Sequence, residues 1–446
     1  MTQNSIDLGN ASISRLFRTY FYPTLAGMLC LCGVTATDGI FIGNGVGSEA
    51  LAAVNICIAP TMLLMGIGLM LGVGTSVISS IHLANKRIEA ARINVTQAMG
   101  FGSVVALLFI FSTLCSPNTT ARQLGSSETL LPLVIDYMPW IFACCLPQVW
   151  CAIGLFVVRL DGSPRYAMWC NVLPGLLNVV LDYIFIYPMG WGLKGAAVAT
   201  FISCGIGGVM AVAYLGRFAQ SLKFIRIKLN FDNLKAAIRN LGYQCRIGIS
   251  AMLGEATMGM LMLVGNIVFM KYIGDAGVSA FSIACYYCPF VFMIGNAIAQ
   301  SAQPIISYNY GQGSKERVVA AERLAIITAV ICGSIVSITF SVFPDIMVRL
   351  FLNDGSSAAT IAENGLPIFA TAFIFFIFNL TTIGYFQSVE KVWPAISFAL
   401  LRGLFFLVPS FIIMPMVTGT NGIWIALAVS EILTSLLICG YYLLKK

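Results

Sequence analysis

Two aspartates stand in stretches that are otherwise apolar, Asp38 within VTATDGIFIG and Asp182 within LNVVLDYIFI. A carboxylate inside an apolar span is expensive, so each is a functional candidate by default. Asn178 precedes Asp182 by one helical turn and shares its face. Thr200 lies in a further apolar run. On helices, both aspartates fall roughly 8–9 Å below one rim of a bilayer and Thr200 about 10 Å below it. Asp38, Asn178, Asp182 and Thr200 therefore compose an oxygen-rich cage. Two carboxylates in one apolar pocket cannot both ionise cheaply. Such a set suits a proton, or a Na⁺ with amide and hydroxyl oxygens as further ligands. The competing reading is that each aspartate bonds a neighbouring helix and only fixes packing.

Other polar residues are buried in apolar sequence. Glu255 stands alone near the middle of its run and is a second candidate site for a cation or proton. Its ordinary alternative is a helix-packing hydrogen bond. Arg402 and Glu431 fall at similar depth and read as a structural ion pair, the cheapest way to place an arginine there. Asp136 is interfacial. Met65, Tyr137, Tyr286 and Phe292 offer aromatic and pliable walls for a substrate, as do Trp140, Trp150, Tyr287, Phe290, Met258 and Met262. Most such side chains in a membrane protein face lipid or pack helices.

The elements that must hold these residues are transmembrane helices. Of 446 residues 59% are hydrophobic and 10% charged, and the mean hydropathy is +0.89. Soluble chains carry about 25% charged residues, so a soluble enzyme, a disordered chain and a nucleic-acid binder are excluded. A bilayer core of about 30 Å takes about 20 apolar residues per helix. Twelve runs qualify: 16–43, 51–82, 93–115, 129–158, 165–188, 193–216, 243–271, 278–309, 318–343, 362–387, 393–415 and 421–443. The first run is too long for a signal-peptide core and is expected to stay in the mature protein. The glycines Gly66, Gly68, Gly72 and Gly74 predict close helix packing.

The chain repeats itself at a shift of 227: Pro188, Gly192, Gly195 and Ala199 recur as Pro415, Gly419, Gly422 and Ala426, and Ile78 and Ser80 as Ile305 and Ser307. Six spans per half give repeats of one orientation. At this shift Asp38, Asn178, Asp182 and Thr200 meet Gly265, Phe405, Pro409 and Leu427, so the cage belongs to one half alone. The expected organisation is an N-terminal lobe over 1–217, a basic amphipathic linker over 218–242 and a C-terminal lobe over 243–446. Of the lysines and arginines, 20 fall on one side of the spans and 4 on the other, with Arg402 inside a span. This asymmetry puts both termini in the cytoplasm. It also accounts for the net charge of +7 without a nucleic-acid partner.

Motifs for other chemistry are missing. Gly43-Asn44-Gly45-Val46-Gly47 lies in a short loop and follows no strand, so it is no nucleotide cradle. The chain has no Walker lysine motif, no HExxH and no GxSxG, and its single histidine, His82, cannot build a zinc site. Cys285 and Cys288 form a CxxC inside an apolar run and read as packing residues. No cofactor and no enzymatic activity are expected.

The stretches Pro23 to Ile56, Asp161 to Ser203 and Ala302 to Arg317 (AQPIISYNYGQGSKER) resemble the multidrug and toxic compound extrusion (MATE) family, closest to its bacterial DinF-like branch. The resemblance covers nearly the whole chain. It implies two six-helix bundles around a V-shaped cleft, exporting organic cations by alternating access against H⁺ or Na⁺. Within its pattern Asp38 matches the span 1 acid, Asn178 and Asp182 the span 5 pair, and Thr200 and Tyr137 further pocket positions. Pro23 matches the proline at which span 1 bends, and Glu255 a span 7 acid of other branches. The chain departs from the pattern at Phe156, where many relatives carry asparagine, at Ile249-Ser250, where a proline is frequent, and in lacking a span 10 acid.

The expectation is thus an inner-membrane secondary active multidrug exporter, a monomer, taking cationic amphipathic compounds. A lipid-linked oligosaccharide flippase of the wider superfamily is the alternative transporter, and its diphosphate would need a basic cleft for which only Arg402 is at hand. A non-transporting membrane scaffold is the alternative outside transport, and the buried acids argue against it.

Overall fold

A computed structural model describes residues 7–227, 231–351 and 357–444. Lys228 and Leu229 of the expected linker, and Lys445 and Lys446, lie outside the described residues. All regular structure among the described residues is helical. The first half holds α1 (Ile13–Gly45), α2 (Ser48–Ala84), α3 (Ile88–Leu114), α4 (Pro117–Gln123), α5 (Leu131–Ala143), α6 (Cys145–Leu160), α7 (Pro164–Ile186) and α8 (Gly192–Ala213). The second holds α9 (Phe231–Ile273), α10 (Asp275–Gly311), α11 (Lys315–Val342), α12 (Pro344–Arg349), α13 (Ser357–Ala370), α14 (Ala372–Ser388), α15 (Val392–Leu400), α16 (Leu407–Thr418) and α17 (Thr420–Leu444). Eleven helical stretches are long and apolar enough to span a membrane, and α13 with α14, bent by 44°, makes a twelfth. The protein is an all-α integral membrane protein of twelve spans in two six-helix bundles.

Several spans are less regular than hydropathy alone predicts. The fourth breaks at Cys144 between α5 and α6, with Pro139 and Pro147 on either side. A proline removes one ladder hydrogen bond and clashes with the preceding turn. The tenth span breaks at Thr371, and Pro367 stands one turn before it. The eleventh carries a π-helical turn over Leu401–Phe405, and the sixth ends in one over Tyr214–Phe218. Two short helices, α4 and α12, begin on Pro117 and Pro344 outside the spans. Proline at the first helical position has no N–H to leave unpaired.

The internal repeat is written into these boundaries. The breaks at Cys144 and Thr371, the prolines Pro117 and Pro344, the ends of α2 and α10 at Ala84 and Gly311, and the starts of α3 and α11 at Ile88 and Lys315 each differ by 227.

The chain forms two compact units, Met1–Gly248 with Ser307–Ser314, and Ile249–Ile306 with Lys315–Lys446. In the first, α7 packs on α1 and α8, and α2 on α3 and α6. Small residues allow the closest approaches. A Cβ on Gly68 would stand 3.0 Å from that of Ala152, one on Gly72 2.7 Å from the Phe156 ring, and one on Gly74 2.0 Å from the Gln244 carbonyl. Phe156, where relatives often carry asparagine, is buried against Gly72 and lies under the Arg159 guanidinium. The start of the 218–242 segment is a non-helical strap over 219–227. Asp161 accepts hydrogen bonds from the backbone N–H of Gln220, Ser221 and Leu222 at 2.7–2.9 Å and from the Tyr214 hydroxyl at 3.0 Å. Arg92 Nε donates to the Ser221 carbonyl at 2.7 Å. From Phe231 the chain is already in α9, which runs unbroken into the seventh span. In the second unit, α11 packs on α14, and α17 on α13, α14 and α16.

Candidate cation site

Helices α1 and α7 bring the two aspartates together. Below the acids, Gly175 of α7 receives Val34 of α1, where a Cβ would stand 2.9 Å from Val34 Cγ2. Above them, Gly45 of α1 receives Ile186 of α7, at 2.5 Å by the same measure. With the backbones held close at both levels, Asp38 and Asp182 face each other within hydrogen-bonding reach. Asp182 is fully buried and neither of its oxygens meets a donor among the described residues. The same holds for Asp38 Oδ1. An ionised carboxylate only accepts, so these oxygens need a hydrogen or cation that the surrounding side chains do not supply.

The neighbours complete an oxygen-bearing pocket. Asn178 is 5% exposed, and its Nδ2 donates to Thr200 Oγ1 at 3.4 Å. Thr200 Oγ1 in turn donates to the Ala196 carbonyl at 3.0 Å. With the amide hydrogens turned to Thr200, Asn178 keeps its carbonyl oxygen as an acceptor or ligand. Tyr137 of α5 is buried and lies in electrostatic range of both aspartates. Phe41, with Tyr183 and Tyr187 at ring distances of 6.4 and 6.0 Å, packs one turn beyond the acids.

Sequence reasoning did not single out Gln148 or Cys204. Cys204 is in range of Asp38, and Gln148 Nε2 donates to its sulfur at 3.7 Å. The available signal was position: Cys204 follows Thr200 by one turn and shares its helix face.

The other candidates are placed differently. Glu255, in α9, is half-buried and has no hydrogen-bond or ion-pair partner among the described residues. Met65 is half-buried on α2 of the first unit. Phe292 is buried in the second unit against Phe376, and Tyr286 is 59% exposed and stacked on Phe351. Trp150 serves packing, its Nε1 donating to Ser103 Oγ at 2.7 Å. Asp136 is exposed. Pro23 lies inside α1, where it leaves the Thr19 carbonyl without its helical partner.

Arg402 and Glu431 are an ion pair, both 1% exposed or less, with Nη2 to Oε1 at 2.7 Å and Nε to Oε1 at 3.1 Å. Asn379 Nδ2 donates to Glu431 Oε2 at 2.7 Å, Ser435 Oγ donates to Asn379 Oδ1 at 2.8 Å, and the guanidinium lies 4.2 Å from the Phe376 ring centre. Both carboxylate oxygens of Glu431 are matched, whereas Arg402 Nη1 meets no hydrogen-bond acceptor among the described residues.

The profile of the MatE family matches residues 23–184 and again residues 251–412. The chain belongs to the MatE family. The two matched stretches reproduce the internal repeat to within one residue of the 227 shift. Among relatives, a FAD transporter of Shewanella oneidensis is 22% identical over 98% of this chain and 95% of its own length. The multidrug export protein MepA of Staphylococcus aureus is 24% identical over 93% of this chain and 90% of its own. A solved structure described as the outward-facing conformation of a multidrug resistance MATE family transporter superposes with a TM-score of 0.89. It is 22% identical and covers 98% of this chain and 96% of that one. The chain is accordingly a membrane transporter of the MatE family and not an enzyme.

Proposed function

We propose that this transporter is a secondary active exporter that antiports cationic amphipathic compounds against H⁺ or Na⁺ by alternating access. The reading rests on the pair of the half-buried Asp38 and the buried Asp182, in which Asp38 Oδ1 and both oxygens of Asp182 meet no donor among the described residues. With both carboxylates ionised a site of this kind carries two negative charges when empty, one when it holds a single proton or Na⁺, and none when it holds two protons or a proton and a Na⁺, so its occupancy is tied to an ion gradient. The coupling ion is a co-substrate, with Asp38, Asp182, the Asn178 carbonyl and the Thr200 hydroxyl as its ligands. Pro23 is the hinge through which occupancy alters α1. Buried hydroxyls flank it: Tyr20 and Thr24, one turn apart, have no hydrogen-bond partner among the described residues, as expected of groups satisfied in another conformation. The charge asymmetry places both termini in the cytoplasm of a cell with this protein in its inner membrane. Tyr137 and Met65 line the substrate path in the first unit, Phe292 and Tyr286 in the second, and Glu255 is a second cation site.

Acidic groups favour a cation over an anion. The name of the Shewanella relative raises an anionic dinucleotide as a second substrate class. Against an anion, and against a lipid-linked diphosphate, stands the neutralisation of Arg402 by Glu431. Efflux of a fluorescent organic cation from cells, challenged in turn with other organic cations and with FAD, separates the classes. Competition by cations and indifference to FAD support the reading. Inhibition by FAD alone contradicts it.

A further inference from the structure

A second polar site lies at the far end of α2 from the acid pair. A cavity of about 690 Å³ opens between the start of α3 and α9, lined among others by His82, Asn94, Gln97, Arg239, Asn240 and Arg246. All of these belong to the first compact unit. Asn240 Nδ2 gives its two hydrogens to Asn94 Oδ1 and Gln97 Oε1, at 2.5 and 2.6 Å. Asn94 is 2% exposed, and its own Nδ2 has no acceptor among the described residues. A buried amide donor without an acceptor is costly to keep, so the position calls for an acceptor atom from outside the protein. Arg239 and Arg246 stand two helical turns apart on one face of α9 and border the same cavity. Among the described residues that line it none is acidic.

We infer that this cavity binds a phosphate-bearing anion, with Asn94 Nδ2 donating to one oxygen and the two guanidinium groups to others. Planar guanidinium forks match phosphate geometry. The volume far exceeds the roughly 30 Å³ of one water, so it admits a whole headgroup. The phosphate comes either from an anionic lipid of the adjoining leaflet or from a soluble phosphate ester. The inference does not depend on the transported substrate. It uses the proposed orientation only to say that this leaflet is the cytoplasmic one.

Purified, delipidated full-length protein tests it. Thermal shift and native mass spectrometry would compare phosphatidylglycerol with phosphatidylcholine, and inorganic phosphate with chloride at equal ionic strength. Stabilisation by phosphatidylglycerol alone identifies a lipid headgroup, and stabilisation by phosphate as well identifies a soluble anion. R239Q/R246Q should weaken binding roughly tenfold or more, and R239Q alone should weaken it by a smaller factor, while K235Q, a charge change equal to that of R239Q but outside the cavity lining, should not. Should the double variant fail to fold, R239Q alone, at an exposed position, carries the test with a smaller loss. D38N should keep this binding while losing efflux, so the two proposals fail separately. No preference for phosphatidylglycerol or phosphate over the controls, or binding unchanged in R239Q and R239Q/R246Q, overturns the inference.

Discussion

In the N-terminal half, Asp38 and Asp182 hold buried oxygens that no donor among the described residues reaches; in the C-terminal half, Glu431 commits both oxygens to Arg402 and Asn379. The halves share a repeat, so the positions can be compared directly. Glu431 occupies the place of Cys204, beside the acid pair. Asp38 corresponds to Gly265, and a Cβ there would stand 2.3 Å from the Phe281 ring. Phe281 replaces Val54, and Trp424 replaces Ala197. These two rings join Phe269 and Phe369 in one aromatic cluster, with centroid distances of 4.6–6.4 Å. What is a polar cage in one half is solid aromatic packing in the other. One architecture thus supports a site whose charge can change and a pair whose charge is fixed.

That contrast can be broken from either side, and the largest effect should come from the unpaired acids. D38N or D182N should reduce gradient-driven efflux to the level of cells lacking the protein, with expression and folding intact. Efflux assays on level-matched membranes decide this, and normal export by either variant would remove the cage from the mechanism. In the C-terminal half the expected loss is one of stability. R402M leaves Glu431 buried and unpaired and should cost about 3–5 kcal/mol in unfolding measurements. R402M/E431Q, which keeps an acceptor for Asn379, should recover at least about half of that. The rescued double variant should still export. If it folds but cannot transport, the pair is more than structural.

A third substitution carries the C-terminal solution into the N-terminal half. V54F introduces the ring found at the equivalent position. Overpacking of this kind costs about 1–3 kcal/mol, so the protein should fold, and efflux should fall well below that of the parent. Unimpaired efflux in V54F would mean that the space beside the cage is not used. The smallest effect is expected for E255Q, a partial drop in efflux measured in the same assay. Loss as complete as in D38N would promote Glu255 to an equal partner of the cage, and no change would assign it to packing.

Much of this was legible in the residues. Hydropathy finds twelve spans because a bilayer demands continuous apolar helices. The repeat survives in glycines and prolines because those residues fix backbone geometry. Asp38, Asn178, Asp182 and Thr200 stand out because polar side chains are rare in such runs. The breaks at Cys144 and Thr371 and the π-helical turns were not legible, since hydropathy is blind to a local change of helical register. Nor was the identity of the side chains filling the space opposite the cage. That Phe281 and Trp424 replace an acid site follows from three helices meeting, and no single helix records it. The unmet hydrogen of Asn94 likewise depends on Asn240, which lies 146 positions away.

The central claim is that ion occupancy of the Asp38–Asp182 pair drives export. Purified protein in proteoliposomes, loaded to support uptake of a fluorescent organic cation, tests it with a pH gradient alone and then with a Na⁺ gradient alone. The account predicts that at least one gradient drives uptake in the parent protein and that D38N/D182N abolishes it. Equal gradient-driven uptake in the parent and in D38N/D182N would contradict it.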